Sequence, residues 1–374
     1  MSRIVAVYRV RSDAQSIDER AAAIAVEQSV ELSPSAIDDP RVLAEIVGRV
    51  ESVTDLGNDL GNDLGGGRFE VRVALATATT GLEAGQLMNM LFGNTSIHDD
   101  VTLEDADFPP EALAAFGGPN HGLAGLRRRS GAERRAMTCT ALKPQGLPSA
   151  ALAELAGRFA RGGIDFIKDD HGLADQDYSP FDERVRACAR AVAAANAETG
   201  GRARYVPSLS GHLDRLRRQV AVARDEGVDT VLIAPMVVGL PSLHAVAQEF
   251  RDMAVLAHPA LAGAQRLAPP LLLGKLFRLL GADATIFPNY GGRFGYSPET
   301  CRRLARAARE PWGGLKATVP VPAGGMSPER VGEMLDFYGE DAMLLIGGGL
   351  LAAGERVTEA TAAFARRVAR YPDA

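Results

Sequence analysis

Three observations predict an α/β protein: a closed (β/α)8 barrel of the TIM type preceded by a smaller ferredoxin-like α+β domain. From about residue 136 a short apolar run followed by an amphipathic stretch recurs eight times, the rhythm of parallel strand–helix units. Before about residue 130 the order is strand, helix, strand, strand, helix, which resembles a split βαβ sandwich. The second apolar run of the later region, GGIDFIKDDHGLADQ at 162–176, ends abruptly in Lys168, Asp169, Asp170 and His171. A water-excluded interior does not tolerate four ionisable groups without partners. They therefore belong at the C-terminal mouth of a strand, facing a metal ion, a phosphorylated ligand or one another. The expected domains are 1–130 and 131–374.

In chain order, residues 4–10 read as a strand and IDERAAAIAVEQS (17–29) has the apolar spacing of an amphipathic helix. A strand at 50–56 leads into the tandem repeat DLGNDLGNDLGGG, whose glycines and Asn-Asp pairs favour a hairpin loop. A strand at 69–76 and a helix at 82–92 follow. The barrel strands are expected at 138–143, 165–170, 204–209, 230–234, 254–258, 284–289, 315–321 and 342–347. Helices are expected at 150–161, 183–196, 212–226, 243–251, 271–280, 298–309 and 328–337. Eight such units are what a closed barrel requires. An open doubly wound sheet does not usually need eight, and no GxGxxG follows the first strand, which argues against a dinucleotide site.

Composition limits the functional classes. With 46% hydrophobic and 24% charged residues and a net charge of −6, the chain is an ordinary globular one and lacks the basic excess that nucleic-acid binding needs. Arg127, Arg128 and Arg129 are the exception, and they read as a solvated linker. Three widely spaced cysteines, Cys139, Cys188 and Cys301, suit a reducing compartment and have no metal-finger spacing. No signal peptide or membrane-length apolar run is apparent, so the expected place is the cytoplasm and neither membrane nor nucleic acid is an expected partner.

A barrel enzyme places its chemistry at the C-terminal ends of its strands. Here the first strand ends in Lys143-Pro144, the second in Lys168-Asp169-Asp170-His171 and the fifth in His258. The sixth runs into NYGGR (289–293), the seventh into Ala323-Gly324-Gly325 and the eighth into Gly347-Gly348-Gly349. Lysine, acid, histidine and two glycine turns thus converge on one rim.

These residues resemble the ribulose-bisphosphate carboxylase (RuBisCO) large-chain superfamily, and more closely its non-carboxylating RuBisCO-like branch, form IV. The motifs span nearly the whole chain: EQS at 27–29, FGN at 92–94, LKP at 142–144, GGIDFIKDDHG at 162–172, AETG at 197–200, AGG at 323–325 and GGG at 347–349. The resemblance implies that Lys168 is the lysine carbamylated by carbon dioxide, and that the carbamate and Asp170 hold Mg2+, the expected cofactor. The third ligand position is glutamate in the carboxylases and His171 here; imidazole suits Mg2+ less well than carboxylate, and a proton shuttle is the other role open to it. Without the carbamate, Lys168 would be a plain cation beside Asp170.

By the same resemblance Lys143 handles protons around an enol intermediate and His258 is an active-site histidine. Gly324, Gly325, Gly347 and Gly348 form turns that hold one phosphate by backbone N–H groups. The companion lysine of the carboxylases is Gln145, and the second phosphate site is lost to Pro259, Ile286 and Ala323. The loop lysine that stabilises added carbon dioxide falls on Arg293. Glu27 and Asn94 match positions contributed by a partner subunit, which implies a homodimer with shared sites.

The function expected from this pattern is an isomerase acting by metal-assisted proton transfer through an enediolate. Its substrate would be a singly phosphorylated ketose, with 5-methylthioribulose 1-phosphate the best fit. Decarboxylation or related carbon–carbon cleavage of a 3-oxo sugar-acid phosphate, of the 3-oxo-isoapionate 4-phosphate type, is the alternative, with Arg293 holding the carboxylate. A non-catalytic sugar-phosphate-binding protein, with metal binding ended by His171, is the third reading. Carboxylation of ribulose bisphosphate is disfavoured by Gln145, Arg293 and the lost second phosphate site.

Overall fold

The structure is a computed structural model that describes residues 2–57 and 67–371. Residues 58–66 of the tandem repeat, where the hairpin loop is expected, lie outside the described residues. Two compact units are present: Met1–Gly117 with Leu261–Leu272, and Gly118–Ala260 with Leu273–Ala374.

The first unit is an antiparallel sheet with three α-helices among its described residues, the last of them Pro110–Phe116. Its strands are β1 (Arg3–Ser12), β2 (Arg49–Asp55), β3 (Gly67–Ala76) and β4 (Val101–Asp107), in the order β2-β3-β1-β4. Helix Ile17–Glu27 follows β1 and helix Ala84–Phe92 follows β3, so the connectivity is that of the ferredoxin-like sandwich. Along β1 the residues Ile4, Ala6, Tyr8 and Val10 are fully buried, a period-two pattern that gives the sheet one apolar face. The Tyr8 hydroxyl, inside that face, donates to Leu91 O at 2.6 Å. β4 is not among the strands expected from the sequence, and its VTLEDAD ends in acids. Cross-strand arginines neutralise them: Arg9 meets Glu104 at 3.0 Å and Arg72 meets Asp107 at 2.7 Å. The segment Leu261–Leu272 covers the outer edge of β4, with Leu103 N donating to Arg266 O and Ala268 N to Leu103 O. Edge strands left open invite non-native pairing.

The second unit carries the barrel strands β5 (Met137–Leu142), β6 (Phe166–Asp169), β7 (Arg204–Val206), β8 (Ser208–Leu209), β9 (Thr230–Ile233), β10 (Ala254–Ala257), β11 (Ala284–Pro288), β12 (Val319–Ala323) and β13 (Met343–Leu345). All pair in parallel. The ladder forms two sheets, β13-β5-β6-β7 and β12-β11-β10-β9-β8. Pro207, which has no N–H to donate, splits one barrel strand between them: β7 pairs with β6, and β8 pairs with β9. At the other seam β12 runs beside β13. Eight barrel strands in this order, with intervening helices, make the (β/α)8 arrangement.

Inward-facing residues from successive strands fill the barrel, among them Cys139, Phe166, Val206, Leu232, Leu256, Ile286, Val321 and Leu345. The seventh strand starts later than 315 because Trp312 and Leu315 form an isolated bridge and Thr318 N is drawn to Ala308 O. In place of one helix at 271–280 there is a π-helical segment, Pro270–Leu276, and then a short α segment, Phe277–Leu279.

Helix Gly122–Ser130, unexpected from the sequence, corrects the reading of the arginine run as a solvated linker. Arg127 pairs with Asp341 at 2.8 Å and Arg129 reaches Asp229 at 3.4 Å; both acids precede strands, so the run helps close the barrel base. All three cysteines are free and buried. Among the described residues no helix is long and apolar enough to cross a membrane.

Candidate active site at the barrel mouth

Alternation along β6 decides what the mouth contains. Phe166 and Lys168 turn into the barrel, while Ile167 and Asp169 turn toward the helices. Lys168 is 3% exposed, and its Nζ donates to the main-chain oxygen of Asp169 at 2.7 Å. Burial pushes its amine below the ordinary lysine range, and the charge of Lys143 acts in the same direction. Desolvation disfavours the ammonium form.

Asp170 lies where β6 ends, and a lysine and a histidine converge on one of its oxygens. Lys143 Nζ is 2.9 Å and His171 Nδ1 3.3 Å from Oδ1. Burial alone would raise the Asp170 carboxyl, but hydrogen bonds from His171 and Lys143 and the charges of Lys168 and Lys143 hold it far below the usual range. Gln145 reaches the other oxygen, with Nε2 donating to Oδ2 at 3.4 Å. A β-carbon built at Gly172 would stand 1.7 Å from that same Nε2, so the glycine leaves the space the amide occupies. The sequence reading treats Gln145 only as a missing lysine; its hold on Asp170 has no sequence signal, because it depends on the path of the next loop.

His258, at the end of β10, stacks on His171 with ring centroids 4.1 Å apart and planes 9° from parallel. Burial, then the charges of Lys168 and His171, push His258 down to about 2. Its ring is neutral at physiological pH, and because Nδ1 accepts the Ala260 N–H at 3.1 Å, the ring proton belongs on Nε2. Lys143, Lys168, Asp170, His171 and His258 are thus brought together.

The glycine turns lie at the same end. Gly324 and Gly325 have φ of 90° and 84°, a left-handed conformation that only glycine adopts without strain. A β-carbon at Gly347 would be 3.9 Å from Lys143 Cε, and one at Gly349 would be 3.1 Å from Met326 O. The two turns therefore adjoin each other and Lys143. The loop after β11 rests on the first turn: Arg293 N donates to Gly324 O at 3.0 Å, and a β-carbon at Gly324 would meet the Phe294 ring at 3.0 Å. The Arg293 side chain is exposed, its guanidinium 5.5 Å from the Phe294 ring centre. Arg330, absent from the sequence reading, anchors this loop through Gly291 O and Tyr290 O.

Glu27 and Asn94 belong to the first unit and meet there. Asn94 Nδ2 donates to Glu27 Oε1 at 2.9 Å and to Glu31 Oε1 at 2.8 Å, so both amide protons are engaged. Glu31 holds φ at 53°, a costly conformation for a residue with a β-carbon.

As to a metal, no group of three His, Cys, Asp or Glu side chains converges among the described residues. Asp170 and His171 supply two donors. A carbamate formed by carbon dioxide on the Lys168 amine would add oxygen donors as the third. That donor set, mostly oxygen, fits a Mg2+ ion.

Fold and mouth together define a barrel protein with a charged, partly desolvated reaction centre at the strand C-termini. The family model described as "Ribulose bisphosphate carboxylase large chain, catalytic domain" matches residues 122–295. The chain is 61% identical over 368 residues to a 5-methylthioribulose-1-phosphate isomerase of Rhodospirillum rubrum, covering 98% of this chain and 96% of that one. It is 31% identical to a 2,3-diketo-5-methylthiopentyl-1-phosphate enolase of Geobacillus kaustophilus, covering 81% and 76%. The crystal structure of a RuBisCO-like protein from Rhodopseudomonas palustris superimposes with a TM-score of 0.90 at 53% identity, covering 100% of this chain and 99% of that one. The chain belongs to the RuBisCO large-chain family, and within it to the RuBisCO-like proteins.

Proposed function

We propose that this protein isomerises a singly phosphorylated five-carbon ketose through an enediolate, with 5-methylthioribulose 1-phosphate as the substrate. The observation that carries the reading is the convergence of Lys143 and His171 on Asp170 beside the buried amine of Lys168. The two relatives support the choice of substrate. Both act, by name, on a molecule with a phosphate at C1 and a methylthio group at C5.

In this reading Lys168, as its carbamate, Asp170 and His171 hold Mg2+, which when bound polarises the substrate's carbonyl oxygen. Lys143, on the rim beside Gly347, acting as the neutral amine, takes the proton from the hydroxyl-bearing carbon next to the carbonyl and returns it to the former carbonyl carbon, while the hydroxyl proton passes to the former carbonyl oxygen. The double bond moves along the chain with no gain or loss of atoms. His258, neutral, donates from Nε2 to a substrate oxygen without adding charge. The turns Gly324-Gly325 and Gly347-Gly348 hold the phosphate with backbone N–H groups, and Arg293 closes over it with a planar, bidentate guanidinium. Glu27 and Asn94 complete the mouth of a second copy in a cytoplasmic homodimer.

Purified protein supplied with Mg2+ and [13C]bicarbonate tests the centre. The expected result is a carbamate carbon signal and bound metal, both abolished in Lys168→Ala; a variant that keeps full activity without either would sink the mechanism. Mixed dimers of Lys143→Met and Asn94→Ala chains test the shared site. They recover part of the activity that each homodimer lacks if the sites are shared, and none if each chain is self-sufficient.

A further inference from the structure

We infer that Arg184, which touches none of the groups at the mouth, is a positioning residue for the Lys168–Asp170–His171 centre, acting through Asp169; the inference rests on the metal-centre reading above. Asp169 is the residue of the KDD run that faces away from the barrel interior. Its carboxylate is completely buried, and donors from separate elements fix it. Oδ2 accepts Arg184 Nε at 3.0 Å and Ser208 N at 3.1 Å, and Oδ1 accepts the Tyr205 hydroxyl at 2.8 Å. The carboxylate therefore ties β6 to helix Phe181–Thr199 and to both halves of the strand split by Pro207.

Arg184 is itself completely buried and uses its remaining nitrogens on the loop that follows β6. Nη1 donates to Ser179 O at 2.6 Å and Nη2 to Ala174 O at 2.7 Å. That loop opens with Asp170 and His171. One guanidinium thus holds the end of β6 on one side and the loop carrying the mouth residues on the other. The main-chain oxygen of Asp169, held in place by its own side chain, is the acceptor for Lys168 Nζ. A shift of Asp169 is transmitted to all three groups by covalent connection over one or two residues, and a shift of Arg184 reaches them through its hydrogen bonds to Asp169 and to the loop.

A buried ion pair adds little net stability compared with apolar replacement, but it imposes geometry because both partners demand directed hydrogen bonds. Partners one layer behind a metal centre tune its affinity by roughly 10–100-fold. A purely structural ion pair would instead change the melting temperature and leave the affinity of folded molecules alone.

The experiment uses the full chain with three changes: Tyr205→Phe, which removes one donor; Arg184→Lys, which loses the fork; and the pair Asp169→Leu with Arg184→Met, which removes both charges together. Two quantities are measured well below the melting temperature. They are Mg2+ affinity by calorimetry in bicarbonate, and hydrogen exchange of the 170–180 segment without metal. The expected result is Mg2+ binding weakened by roughly 10–100-fold in Arg184→Lys and the double variant, and less in Tyr205→Phe. Exchange in 170–180 should be faster in all three. Affinity and exchange within twofold of the parent protein would overturn the inference, even if melting temperatures fall. If the parent protein binds no Mg2+ in bicarbonate, the metal reading fails instead, and the exchange arm alone decides whether Arg184 positions the loop.

Discussion

Both ends of the barrel bury charge, and they treat it in opposite ways. At the base, Asp165 accepts four hydrogen bonds, two from Arg135 at 2.6 and 2.7 Å and two from the amide and hydroxyl of Thr138 at 2.8 and 2.9 Å. Those donors use the capacity of a carboxylate completely. Asp283 is held by three main-chain amides, those of His121, Gly122 and Val255, at 2.6 to 2.8 Å. At the mouth, Asp170 shares one oxygen between Lys143 and His171 and has only a long contact to Gln145 on the other. Lys168 has a backbone carbonyl for company, and His258 is kept neutral. Saturated groups hold a fold together; groups with capacity left can accept a ligand.

Lys168→Ala should have the largest effect at the mouth, a loss of activity on the order of 10³-fold with little change in melting temperature. A residual rate near that of the parent would mean that Lys168 belongs with the base residues. Lys143→Met comes next. Steady-state kinetics should give a fall of roughly 10²-fold in kcat, the low end of general-base effects, with a modest change in KM, whereas a pure KM effect would make Lys143 a binding group.

At the base the same kind of change should act on stability. Asp165→Asn leaves the half-buried Arg135 partly unpaired and should cost roughly 1–3 kcal/mol in urea unfolding, with kcat of the folded protein unaltered. Reduced kcat at full stability would erase the distinction between the two ends.

The smallest effect is in pH dependence. His258 titrates near 6.5 in the unfolded chain but is held at about 2 in the fold, so on acidification the unfolded chain takes up the proton first. Its contribution to stability is complete above pH 6.5 and is lost as pH falls from there toward 2, by no more than about 1.4 kcal/mol per unit. Urea midpoints of His258→Gln should therefore decline less between pH 6.5 and 5 than those of the parent; parallel declines would mean that the ring is not held neutral.

The barrel was legible because its apolar runs recur with the same punctuation, and Lys143, Lys168, Asp170 and His258 because they stand at strand ends. β4 was hidden, since the arginines that neutralise Glu104 and Asp107 lie on other strands. The arginine run was misread for the same reason: the acids it meets are remote in sequence. Asp165 and Asp283 each precede an apolar run just as Asp169 and Asp170 end one, yet nothing local in the sequence says which carboxylates are held by short, fixed donors. Gln145 and Arg184 act through loops whose course only the folded chain defines.

The central claim, that the mouth enolises a phosphorylated ketose, is tested most directly by incubating the protein with 5-methylthioribulose 1-phosphate, Mg2+ and bicarbonate in deuterated water and following the sugar by NMR. The account predicts an isomeric ketose phosphate and deuterium on a carbon beside the carbonyl, both absent with Lys143→Met. Recovery of unchanged substrate without deuterium, from protein that has bound it, would contradict the account.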